Sequence, residues 1–296
     1  MSDGREFLDP GLDFARDAFT PEEKEAMLAW YRDVHDYGDL DLAPFARFSI
    51  EHDPGGFKRL RRHVMTLAEP ADGVSLPTVA GVLMYVHAYT VMGNGKGALY
   101  EVIAVRALGV SKAQVLETIR LAALYGGPLG LNPLGELAMG YLDEWTEDPP
   151  EPASWPDGWA PDVAVFRSGI DPASDELGAG ELELVRDWYG RMYGETPPHV
   201  APLARLHPKA FKTQQLRFEL APTGALPAQL VPLLRLHLGV IRQSPSLVRR
   251  SVQMARALGV RRHHVVSTLF WAAVYGGDTV LETAYQAAGD VIDAMA

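Results

Sequence analysis

Residues 106–127, RALGVSKAQVLETIRLAALYGG, return 150 positions later as residues 256–277, RALGVRRHHVVSTLFWAAVYGG. The likeness runs back without a gap to Leu76-Pro77 and Leu226-Pro227, and 17 of the 52 paired positions are identical. Average composition gives only about one chance match in fifteen, so the chain is internally duplicated. Each copy reads as a helix, a glycine stop and a second helix. What the copies share is scaffold, and chemistry is sought where they differ.

Outward from that stretch, Ser75-Leu76-Pro77 opens a helix whose apolar stripe carries Leu83, Met84, Val86, His87 and Val91 at helical spacing. Gly93-Asn94-Gly95 breaks it, and a second helix runs from about 96 to Leu108, with Gly109 as its stop. Ser111, with Gln114 at the capping-box position, starts a third that ends at Gly126-Gly127-Pro128, and a fourth covers 133–145. Upstream, Thr20-Pro21-Glu22-Glu23 caps a helix that Gly38 ends, and shorter helices are expected near 41–51 and 55–69. The basic face Lys58, Arg59, Arg61, Arg62 reads as solvated surface.

Downstream, residues 146–174 mix Pro149, Pro150, Pro152, Pro156, Pro161 and Pro172 with acidic side chains, which reads as a linker pinned by Trp155, Trp159 and Phe166. Trp188-Tyr189 then echoes Trp30-Tyr31, and helices are expected at 175–193, 208–220, 226–243, 245–258, 261–276 and 278–294. No strand alternation stands out. The expected fold is all-α: a first repeat with its N-terminal helices over 1–145, a linker over 146–174 and a second repeat over 175–296.

Composition narrows the chemistry. The 296 residues contain no cysteine, which removes disulfides, thiolate nucleophiles and dithiol redox chemistry together. A formal net charge of -11 argues against general nucleic-acid binding. The apolar runs near 79–92 and 228–241 are too short and interrupted to span a bilayer, and MSDGREFLDP lacks a signal core, so no membrane association and a cytoplasmic location are expected.

The pattern resembles the carboxymuconolactone decarboxylase and alkylhydroperoxidase-D-like superfamily over about 76–140 and 226–290. It is carried by a helix, an A-x-x-x-G-V segment (Ala255 to Val260 in the second copy), then a capped helix ending in A-A-x-Y-G-G, with Pro128 next in the first copy. The resemblance implies small helical proteins that assemble as trimers or hexamers. For this duplicated chain it implies a homo-oligomer, with a trimer ahead of a dimer. The peroxidase branch carries C-x-x-C-x-x-x-H, and here those positions hold Asn94, Gly97 and Glu101, or Ser244, Leu247 and Ser251. Thiol peroxidase activity is thereby excluded.

Glu101, standing where the family has its histidine, is the first catalytic candidate. Gly97, Ala98, Ala104 and Val105 surround it, and burial there would raise its pKa toward neutrality. His87, kept in both copies as His237, is the second candidate, though a histidine on an apolar stripe is more often a core residue. Tyr85, Tyr89 and Tyr100, confined to the first copy, are candidate substrate contacts. Arg106, paired with Arg256, either caps a helix C-terminus or clamps a substrate carboxylate. Tyr125 and Tyr275 read as packing residues. No cofactor is called for, and His263-His264 does not read as a metal site because no carboxylate stands at helical spacing nearby. The resemblance, with these residues, implies a cofactor-independent acid-base lyase, decarboxylase or isomerase for a small organic acid or lactone. The alternative is a non-catalytic ligand-binding or scaffold member. Any site should lie in the first half, closed by the second half or by another subunit.

Overall fold

The computed structural model describes residues 7–37, 43–68 and 76–296, and every regular element among them is helical. Gly38 and Ser75, the expected stop and start of two helices, lie outside the described residues. The first half holds α1 (Pro21–Val34), α2 (Pro44–His52), α3 (Pro54–Ala68), α4 (Thr78–Met92), α5 (Gly95–Ala107) and α6 (Lys112–Glu144). The second holds α7 (Glu181–Tyr193), α8 (Val200–Leu206), α9 (Pro208–Glu219), α10 (Leu230–Ile241), α11 (Pro245–Ala257), α12 (Arg262–Gly276) and α13 (Thr279–Asp293).

The local signals explain most boundaries. Thr20 and Ser111 each close a full capping box, with Glu23 and Gln114 reaching back. In α6 the helical path breaks at Gly127 (φ 58°, ψ −159°). The expected fourth helix therefore starts directly after Gly127, with Pro128 in its first turn, rather than at 133. Helix α7 begins at Glu181 rather than 175, because the Glu181 carboxylate accepts from Asp171 N at 2.7 Å and Gly178 N at 2.6 Å and so folds the preceding residues into a loop. Helix α8 was not foreseen.

At the centre α4 packs against α10. Nearly every residue of both is buried, including the polar Arg235 and His237 of α10. Leu83, Leu233 and Leu234, all at 0% exposure, belong to one continuous core that joins the halves. The proline-rich segment is tied to this body by its backbone, with a 3-10 turn at Ala164–Phe166: Ala153 N donates to Gly109 O at 2.8 Å, and Ala228 N to Ala160 O at 2.9 Å. Gly109 is required there, since at φ +88° an added Cβ would meet Glu151 O at 2.4 Å. No described helix is long and apolar enough to cross a membrane.

Corresponding contacts extend the likeness of the halves beyond the aligned stretch. Trp30 Nε1 donates to Phe7 O at 2.8 Å, and Trp188 Nε1 to Val165 O at 2.9 Å. Lys58 is buried against Glu23 and donates to Ala18 O; Lys212 is buried against Glu181 and donates to Glu176 O. The face Lys58–Arg62 is thus only half solvated. Arg59 and Arg62 are exposed, while Lys58 (2%) and Arg61 (8%) turn inward on the adjoining face of the helix.

Candidate functional site

A cavity of about 580 Å³ opens in the first half, between α1, α3, α4 and α5, and the end of α12 covers it. Its size is that of a small-molecule site. Helix α5 is placed by Asn94, whose side chain accepts from Gly97 N at 3.0 Å, and it carries Lys96, Tyr100 and Glu101 into the wall. Helix α4 brings Val82, Tyr85 and Tyr89; α12 brings Trp271, Val274 and Tyr275; Trp30, Tyr31, His35 and Arg61 complete it.

Glu101 lines this space. It keeps some accessible surface towards the cavity, yet protein encloses it on the other sides, and no described residue forms an ion pair with it. Burial pushes its pKa up to about 8; the neighbouring Tyr275 hydroxyl and the Arg61 charge pull the other way and do not offset it. At neutral pH the group is mostly the protonated acid. Tyr275 also acts on Tyr89 as a hydrogen-bonding neighbour, and their rings meet edge to face at 5.2 Å. The Tyr85 hydroxyl donates to Trp271 O at 3.4 Å, tying α4 to α12 beside the cavity.

Arg61 lies with its guanidinium 4.4 Å over the Trp30 ring. It donates to the Leu8 carbonyl, while its Nε has no partner among the described residues. His35 stacks on Tyr31 at 5.4 Å and stands edge-on to Tyr100 at 4.9 Å. Its Nδ1 donates to Tyr31 O at 3.2 Å, and burial lowers its pKa to about 4, so it is neutral. Burial raises Tyr31 to about 12.

The structure brings Glu101, Tyr85, Tyr89 and Tyr100 together and leaves His87 and Arg106 elsewhere. His87 is fully buried beside Tyr125 in a separate void of about 10 Å³, lined also by Phe218 and Arg235. Neither ring nitrogen has a described partner, and burial with the Arg235 charge lowers its pKa to about 3. Arg106 lies over Trp145 at 4.8 Å and Tyr141 at 5.7 Å, outside the cavity, in keeping with the helix-end account. Tyr275, read from sequence as packing, is a cavity residue. Arg61, Tyr31, His35 and Trp271 were missed; only the Trp30-Tyr31 echo marked this region.

The two voids correspond. Trp271, Val274 and Tyr275 cover the large one, and their aligned partners Leu121, Leu124 and Tyr125 line the small one. Each half is therefore closed by the helix end of the other. The small void is filled where Arg235 replaces Tyr85, Phe218 replaces Val64 and Phe166 replaces Leu8. Ser251, the counterpart of Glu101, is fully buried, and no described residue bonds its hydroxyl. No known protein family, curated protein or solved structure matches the chain.

Proposed function

We propose that the chain is a cofactor-independent acid-base enzyme, a lyase, decarboxylase or isomerase for a small organic acid or lactone, working in the cavity of the first half. The observation that carries this reading is a carboxyl group held protonated near neutral pH against a cavity large enough for a substrate. Glu101 gives a proton to a developing carbanion or enolate, and Tyr275 and Tyr89 orient the substrate oxygen. The resemblance to the carboxymuconolactone decarboxylase superfamily supports the same position, since Glu101 stands where that family keeps its histidine. A purely structural member would have a filled core with Glu101 in water, and the cavity beside Glu101 speaks against it.

The test is solvent deuterium incorporation, followed by NMR, across a panel of small carboxylic acids and lactones. For an accepted substrate, Glu101→Gln should lose about 10²–10⁴-fold in turnover, and Ser251→Ala should lose little. The parent rate should fall as pH rises through about 8, because the donor is then deprotonated. Equal turnover in Glu101→Gln and parent would remove Glu101 from the chemistry.

We further propose a cytoplasmic homo-oligomer, a trimer ahead of a dimer. Large apolar side chains stand exposed at Leu129 (84%), Leu206 (73%), Met139 (64%) and Phe48 (63%), which favours a partner surface. A monomer mass by light scattering at micromolar concentration would refute assembly.

A further inference from the structure

We propose that the cavity receives a monocarboxylate with an apolar or aromatic body, and that Arg61 binds the carboxylate. This rests on the cavity being the working site, but on no bond being made or broken there.

A guanidinium is never discharged in a protein, so its burial must be balanced by a counter-charge or tolerated at a cost. Arg61 is 8% exposed, and no described carboxylate forms an ion pair with it. Its described protein partners are the Leu8 carbonyl and the face of Trp30, and its Nε is left over. Two carboxylates act on it from further off, exposed Asp9 and Glu101. Glu101 carries little charge at pH 7. The other titratable groups around it, Tyr31, Tyr85, Tyr89, Tyr275 and His35, are neutral at that pH. Among the described residues, the cavity wall thus carries one buried positive charge, Arg61, with no ion-paired carboxylate.

A carboxylate is the anion that fits. It presents two acceptor oxygens to the planar fork and brings one charge to neutralise one. A phosphate dianion would bring a surplus charge into a wall of Trp and Tyr rings. The remaining cation, Lys96, is only half-buried on the cavity rim and lies over the Tyr100 ring. The aromatic lining suits an apolar or aromatic body behind the carboxylate. An anion on Arg61 also removes the charge that lowers the Glu101 pKa, so the bound state keeps Glu101 protonated.

Calorimetric titration with benzoate and its neutral isostere benzamide at pH 7 tests this. The parent and Glu101→Gln should bind benzoate at least about tenfold tighter than benzamide, as expected for one charge-assisted pair. Arg61→Met should lose that preference and keep benzamide binding. Inorganic phosphate should not displace benzoate. Parity of the two ligands in the parent, failure of both to bind, a preference that survives in Arg61→Met, or displacement by phosphate would overturn the proposal. Should Arg61→Met not fold, the parent alone decides. Its benzoate affinity should fall about tenfold per pH unit above pH 8, as Glu101 ionises beside the bound anion, with benzamide flat and the slope absent in Glu101→Gln. A flat benzoate profile in the parent would refute it. Benzoate preference without turnover of any panel compound would sink the enzyme reading and leave this one standing.

Discussion

Gly81 decides how close α12 can come to α4. An added Cβ there would lie 2.5 Å from Trp271 Cε2, and Trp271 is fully buried where it lines the cavity. In the other half the aligned pair is Val231 and Leu121, so the bulk that Trp271 supplies alone against Gly81 is there shared between two mid-sized side chains. Alanine is the better helix former by about 1 kcal/mol, yet overpacking a closed core costs about 1–3 kcal/mol. The clash therefore wins. Gly81→Ala should lower the denaturant midpoint, and adding Trp271→Leu should recover part of the loss, a non-additivity that a double-mutant cycle measures. Strictly additive losses would show that the contact does not set the spacing. The same scale explains why Glu101 could be singled out from sequence and Arg61 could not. Small and apolar neighbours at three and four residues mark Glu101 on its own helix. Arg61 is buried by Trp30 and by a carbonyl 53 residues away, and no local pattern records either.

At the scale of elements, one buried cation holds the entry of the chain to the bundle. Lys58 Nζ on α3 donates to Asp13 O and Ala18 O, both at 2.9 Å, and to both Glu23 oxygens on α1, at 2.9 and 3.0 Å. Lys212 repeats the arrangement with Glu181 and Glu176 O. Removing one partner leaves a buried charge alone, so Lys58→Met should cost about 3–5 kcal/mol. The burial of Glu23 would raise its pKa, but the Lys58 bond and two backbone donors hold it down at about 2, against 4.5 unperturbed. A depressed carboxylate contributes stability that is present above about 4.5 and is lost as pH falls towards about 2. The parent's denaturation midpoint should therefore drop across that window, and Lys58→Met should flatten the drop. An unchanged acid limb in the variant would deny the clamp its role. Helix starts with such local chemistry, Thr20 and Ser111, were legible in the sequence because the cap and its partner are three residues apart. The inward turn of Lys58 was not, since its partners lie 35 to 45 residues away.

Across the whole molecule, the same framework encloses about 580 Å³ in one half and about 10 Å³ in the other. The likeness of residues 76–127 and 226–277 could be read directly, and so could the absence of Glu101 and the tyrosines from the second stretch. Closure of the first-half site by the second half was one of two sequence expectations; which residues do it was not legible, because the fold, not the alignment, brings Tyr275 to Glu101 and Tyr125 to Arg235. The plug is costly chemistry. Arg235 is 7% exposed, donates to the Tyr193 hydroxyl at 2.8 Å and to Met254 Sδ at 3.2 Å, and has no described carboxylate partner. Its guanidinium rests on the rings of Tyr193 and Phe218 at 5.4 and 5.3 Å. Methionine has nearly the same reach and no charge to desolvate, so Arg235→Met should relieve the burial cost while Tyr193 loses one bond, worth about 1–3 kcal/mol. The expected outcome is a thermal midpoint equal to the parent's or higher, with ligand binding in the first-half cavity unchanged. A fall of more than about 2 kcal/mol in stability would mean that the charge itself, and not the volume of the side chain, keeps the second half closed.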